Sequence, residues 1–96
     1  MTKNFANKYK DRMPEETVEI IDNFFKSKNY TIEVTEIKEP LPNIWWCHLE
    51  LKYNNIFIAF SNGKGASKAF ALASGYSELY ERYCNFSSSI PGQKIN

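Results

Sequence analysis

The chain has no apolar run near the ~18 residues that a membrane-spanning helix needs. Its first ten residues, Met1 to Lys10, are basic but lack the apolar stretch of a secretory signal. Net charge is also nearly absent. Twelve Lys and Arg against eleven Asp and Glu leave +1, so no global field draws the chain to nucleic acid or to an anionic membrane. Any polyanion must be met by a local patch. Cysteine is limited to Cys47 and Cys84, which sit in different expected elements with no Cys-x-x-Cys spacing. That pattern fits two reduced thiols in a cytoplasmic protein, not a disulfide framework or a zinc site. Asn29-Tyr-Thr31 and Asn85-Phe-Ser87 match the glycosylation pattern, but without a secretory signal they read as chance matches. His48 is the one histidine and has no acidic or cysteine partner at ligand spacing, so a packed or strand-edge role is favoured. No Ser/His/Asp or Cys/His combination suggests nucleophilic catalysis.

What is present suffices for one small domain. Hydrophobic residues at 43% and aromatics at 16% of 96 residues indicate a folded chain with a modest core. Residues 1–13 read as a basic, solvated arm and residues 87–96 as a flexible polar tail, flanking an α+β domain over 14–86. There is no internal repeat, low-complexity segment or linker.

Inside that domain the expected order is α-β-β-β-α, a three-stranded antiparallel sheet packed with two helices. Val18, Ile21, Phe24, Phe25 and Lys28 keep helical spacing after Pro14, so a helix is expected from about Pro14 to Lys28. Tyr30 to Ile37 alternates as a half-buried strand, and Glu39-Pro-Leu-Pro-Asn43 is expected to end it. A second strand should run from Ile44 to about Tyr53, with Trp45 and Trp46 on opposite faces. Asn54-Asn55 suits a tight hairpin turn. Ile56 to Phe60 is continuously apolar and reads as a buried third strand.

The most informative stretch runs from Ser61 to Arg82. Ser61–Gly65 reads as a glycine turn, and Lys64 between two glycines suits either close approach to a phosphate or an ordinary surface turn. Ser67 is a good N-cap for a helix to about Asn85. Leu72, Tyr76, Leu79, Tyr80 and Tyr83 should pack that helix on the sheet, while Ala69, Ala71, Ala73 and Gly75 keep it slim. Ser74, Glu78, Glu81 and Arg82 fall at i, i+4, i+7 and i+8, within roughly 100° of one helical face. Two carboxylates one turn apart can share Mg²⁺, which prefers oxygen ligands and substrate phosphates. On spacing alone the plainer reading is a solvated face with an i,i+4 Glu78–Arg82 ion pair.

From about residue 10 to 86 the chain resembles the N-terminal segment of the YcaO family, in particular its accessory factors for ribosomal-protein methylthiolation. The resemblance lies in Tyr-Lys-Asp11, Pro-Leu-Pro-Asn-Ile-Trp45, Ser-Asn-Gly-Lys-Gly-Ala-Ser67, Ala-Leu-Ala-Ser74, Glu78 and Glu81-Arg82. It implies an N-terminal piece of a larger fold in which ATP activates a backbone amide oxygen, the cyclodehydratase or thioamidation type of chemistry. Carried over residue by residue, it implies that Glu78 and Glu81 hold Mg²⁺ on the phosphates. It also implies that Ser74, Arg82, Lys10 and Thr17 lie along the nucleotide. Thr17 stands where a serine is usual and keeps the hydroxyl. A ribosomal protein or peptide would be the substrate of the full-length relatives.

Family members are several times longer, with a second acidic motif and a C-terminal half that this sequence lacks. The resemblance therefore implies half of a site, without activity of its own and with weak nucleotide affinity. The missing half is the first expected partner, and self-association through exposed apolar surface is the second. No membrane partner is expected. The alternative is a double-stranded RNA-binding module, which shares the α-β-β-β-α order and would use the Gly63-Lys64-Gly65 turn with Lys68. Glu78 and Glu81 on the same helix would repel phosphates without a metal, so nucleic acid is disfavoured.

Overall fold

The computed structural model describes residues 13–89, with side chains through residue 85. Most of the expected basic arm and polar tail lies outside them. The element order is α1 (Pro14–Lys26), β1 (Tyr30–Leu41), β2 (Ile44–Tyr53), β3 (Ile56–Gly65) and α2 (Lys68–Ser89). This is the expected α+β fold. The three strands form one antiparallel sheet in the order β1-β2-β3.

Pro14 opens α1 where its missing N–H is harmless, and Glu15 and Glu16 sit in the positive first turn. The helix ends at Lys26, two residues short of Lys28, because the chain already tightens there. The N–H of Lys28 donates to Phe25 O at 2.9 Å, and Asn29 adopts φ 70° to enter β1. Asparagine tolerates that left-handed conformation better than most residues.

Three expectations about the strands are corrected. β1 does end within Glu39–Asn43, but later than expected: it runs past Ile37 through Pro40 to Leu41, and the turn is left to Pro42 and Asn43. The proline is tolerated because β1 is an edge strand and its register breaks between Lys38 and Leu41, where no ladder N–H is required. Asn43 then turns the chain with φ 60°, and its N–H donates to the Glu39 carboxylate at 2.8 Å. Secondly, Ser61–Gly65 is not a turn. It is the second half of β3, paired with β2 from Leu49↔Ser61 to Trp45↔Gly65. Thirdly, Ile56–Phe60 is not buried, because β3 is the other edge and Ile56, Phe57, Ile58 and Phe60 are all exposed.

The hairpin at Asn54-Asn55 is as expected. Their φ values of 54° and 67° fit a type I′ turn, which matches the twist of the flanking strands. Two bulges change which residues face inward. In β1 the extra residue Thr35 shifts the inward parity from Tyr30 and Ile32 to Ile37. In β3 the extra residue is Ile58, so Ala59, Ser61 and Gly63 face the helices.

Both helices cover one face of the sheet. Ile21 and Phe25 of α1, Cys47, Leu49 and Leu51 of β2, and Ala71, Tyr76 and Leu79 of α2 form the buried core. Trp45 packs against this core while Trp46 lies on the opposite face, as alternation requires. Tyr80 and Tyr83 meet α1 as well as the sheet side. Their rings make edge contacts with Phe24 at centroid distances of 5.1 and 5.9 Å.

Candidate functional site

The site depends on how α2 is seated. Its N-terminus is capped by Ser67, whose hydroxyl accepts from the N–H of Phe70 at 3.2 Å. Its first two turns lie directly on β3. A Cβ placed on Gly63 would be driven into the carbonyl oxygen of Ala71 and would stand 2.8 Å from the Cα of Gly75. Helix and strand backbones thus touch, which only glycine permits at position 63. The glycine-rich stretch serves this contact, not a phosphate turn.

Two buried side chains fix the rotation of the helix. Ser61 Oγ donates to Gly75 O at 2.7 Å, and Cys47 Sγ donates to Ala71 O at 3.3 Å. Burial pushes the Cys47 thiol pKa up, partly opposed by a backbone hydrogen bond from Gly63, so it stays a protonated donor at neutral pH.

With one face of α2 held on β3, the Ser74 stripe faces water. Ser74, Ser77, Glu78, Glu81, Arg82 and Asn85 line a shallow trough of about 460 Å³. Four of these were expected together from their spacing. Ser77 and Asn85 were not, although the same helical period places both on that face. Glu78 accepts from Arg82 Nη2 at 2.8 Å and from Nε at 3.2 Å, so the i,i+4 pair exists. Such a pair contributes only about 0.3–0.5 kcal/mol and exchanges readily for another partner. The Arg82 guanidinium also lies 5.7 Å from the Phe60 ring centroid. Glu81 is exposed and makes no ion pair among the described residues.

The chemistry on offer is hard oxygen donors beside one guanidinium. No group of three or more His, Cys, Asp or Glu that could hold a metal occurs among the described residues. The two carboxylates fit Mg²⁺ only if phosphate oxygens and water complete its shell.

The remaining expected residues do not join this trough. Lys64 is exposed on the uncovered face of the sheet, opposite Trp46. Thr17 is 6% exposed and belongs to the buried stripe of α1 that continues through Ile21 and Phe25. Lys10 lies outside the described residues. His48 is packed between the rings of Trp46 and Phe60, with centroids 6.4 and 5.3 Å away. Its Nδ1 lies 2.8 Å from Asn62 Oδ1 and its Nε2 lies 3.5 Å from Glu50. Among the described residues, no helix is long and apolar enough to cross a membrane.

Fold and trough define a small α+β unit with an open, mixed-charge helical face. Comparison with known proteins then narrows the class. No family model matches the chain. It is 35% identical over 89 residues, 90% of its length, to an uncharacterized protein of Haemophilus influenzae. It is 34% identical over 73 residues, 76% of its length, to the ribosomal protein S12 methylthiotransferase accessory factor YcaO of Escherichia coli. The chain spans only 15% and 12% of those two relatives. These matches support a YcaO relationship over that short segment. Neither they nor the geometry support the RNA-binding alternative, whose Gly63-Lys64-Gly65 turn is a strand.

Proposed function

We propose that this chain carries one half of an ATP–Mg²⁺ site of YcaO type, used in longer relatives to activate peptide amides or to assist ribosomal-protein methylthiolation. The observation that carries the reading is the convergence of Ser74, Glu78, Glu81 and Arg82 on one solvent-open trough. Glu81 and Glu78 are the Mg²⁺-facing carboxylates, and Arg82 and Ser74 meet phosphate. Arg82 leaves Glu78 at little cost because their pair is exposed. Lys10 and Thr17 belong to the same proposal, and Lys64 does not. The seating of Thr17 requires α1 to shift before its hydroxyl reaches a ligand, and Lys64 lies on the sheet's other face. Bound Mg²⁺ would neutralise phosphate charge. The chain's own contribution is to hold the carboxylates and the guanidinium on a rigid helix. A site with ligands from one helix only binds weakly and catalyses nothing alone. The free thiols Cys47 and Cys84 fit work in the reducing cytoplasm.

A titration with Mg-ATP, followed by backbone amide NMR, tests this. Millimolar-range binding that shifts residues 74–85, and is lost in Glu81→Gln, is expected. Shifts confined to residues 61–68, or tight binding by this chain, would overturn the half-site.

A further inference from the structure

Arg82 has a second neighbour that the half-site does not explain. Its guanidinium carbon lies over the ring of Phe60, 5.7 Å from the centroid. Phe60 belongs to β3, not to α2. It sits on the sheet face away from the helices, because Ala59 and Ser61 on either side of it point toward them. Arg82 therefore reaches from the helix around the edge strand. It lines both the trough and an apolar slot of about 420 Å³ beside it.

The ring is itself held in place. Phe60 stacks on His48 with centroids 5.3 Å apart and planes 29° apart, and His48 stacks on Trp46 at 6.4 Å. The imidazole is tied to the sheet through Nδ1, 2.8 Å from Asn62 Oδ1. Three rings on β2 and β3 thus form a row that ends at the guanidinium.

We propose that Phe60 is a positioning residue for Arg82, fixing its guanidinium at the trough to meet the ligand's phosphate; the inference rests on the half-site reading above. An arginine on a bare helix face keeps several free torsions, and ordering them at the moment of binding weakens the ligand. The ring removes part of that freedom beforehand. Its attraction for a cation is also of the right kind, because an uncharged ring does not compete with phosphate as a second carboxylate would. The two partners use different parts of the group. Glu78 takes the N–H donors of Nε and Nη2, at 3.2 and 2.8 Å, while Phe60 attracts the delocalised charge. Phosphate oxygens can then replace Glu78 at those donors while the carbon stays over the ring.

NMR of the full chain reads this twice. Without ligand, the ring current of Phe60 shields the Arg82 side chain, so its Hδ and Nε–H resonances should move downfield in Phe60→Leu and stay in place in Phe60→Tyr. With Mg-ATP, Phe60→Leu should raise the Kd about two- to fivefold, as loss of an exposed cation–π contact does, and Phe60→Tyr should restore it. Ile56→Ala, at an exposed apolar residue of the same strand, should leave the Kd unchanged. Phe60→Ile replaces Phe60→Leu if circular dichroism shows a lost fold. Arg82 resonances indifferent to Phe60→Leu overturn the positioning role. So does a Kd unmoved by that change, or moved equally by Ile56→Ala. A native chain whose Arg82 resonances respond to Phe60 but which shows no Mg-ATP shifts overturns the half-site, and the proposal with it.

Discussion

On one side of α2, Gly63, Ala71 and Gly75 bring two backbones into contact, and Ser61 and Cys47 donate into that seam. On the other side, Ser74, Glu78, Glu81 and Arg82 stand in water around a shallow trough. The first side tolerates almost no added volume, because backbone cannot move aside as a side-chain tip can. The second tolerates exchange of partners, because its one ion pair is exposed and screened. One helix therefore holds its position with one face and leaves the other open to solvent. A binding face needs that division, since carboxylates are useful to a cation only when their carrier does not yield.

The sharpest way to break the contrast is Gly63→Ala. The added methyl meets Ala71 O and Gly75 N, so a loss of about 3 kcal/mol or more is expected in chemical denaturation. Lys64→Ala, one residue along and exposed, should change stability by less than about 0.5 kcal/mol. Equal effects at the two positions would show that the seam is not tight.

Alkaline pH probes the covered side next. Burial, with smaller contributions from Asp22 and Cys47, pushes the Tyr76 hydroxyl pKa up to about 12 from 10.0. A raised folded-state value favours the neutral phenol, so the associated stability is intact below pH 10 and is lost as pH rises toward 12. The loss is on the order of 2 kcal/mol. Denaturation midpoints across that window should fall more steeply for the native chain than for Tyr76→Phe.

Removing one donor from the seam has a smaller effect. Ser61→Ala leaves Gly75 O without its side-chain donor and should cost about 1 kcal/mol, with no change in secondary structure by circular dichroism. The smallest stability effect belongs to the open face. Arg82→Ala should cost less than about 0.5 kcal/mol, yet it should abolish the Mg-ATP shifts at residues 74–85. Unchanged shifts would separate Arg82 from the ligand and leave it only as the partner of Glu78.

Much of this organisation was legible beforehand. The element order, the Asn54-Asn55 turn, the Ser67 cap and the Ser74–Arg82 stripe all follow from local rules. Periodicity, turn chemistry and capping act within a few residues. Ser77 and Asn85 could have been added by extending the same period. The misreadings share one cause. Pro40, Ile56–Phe60 and Ser61–Gly65 each have a local preference that depends on where the strand lies in the sheet. An edge admits proline, an edge exposes an apolar run, and a helix lying across a strand gives glycines a use unrelated to turns.

The sequence by itself determined the order of helices and strands, and that two carboxylates, a serine and an arginine share one face of α2. Helical geometry is set by neighbours in the chain, so those facts needed nothing more. Only the tertiary structure decided what the glycines do, since backbone contact between Gly63 and Gly75 joins residues twelve apart through packing. It alone seated Thr17 in the core and put Lys64 on the far side of the sheet. It also placed β3 at an edge of the sheet, because strand order is fixed by long-range pairing that no local pattern specifies.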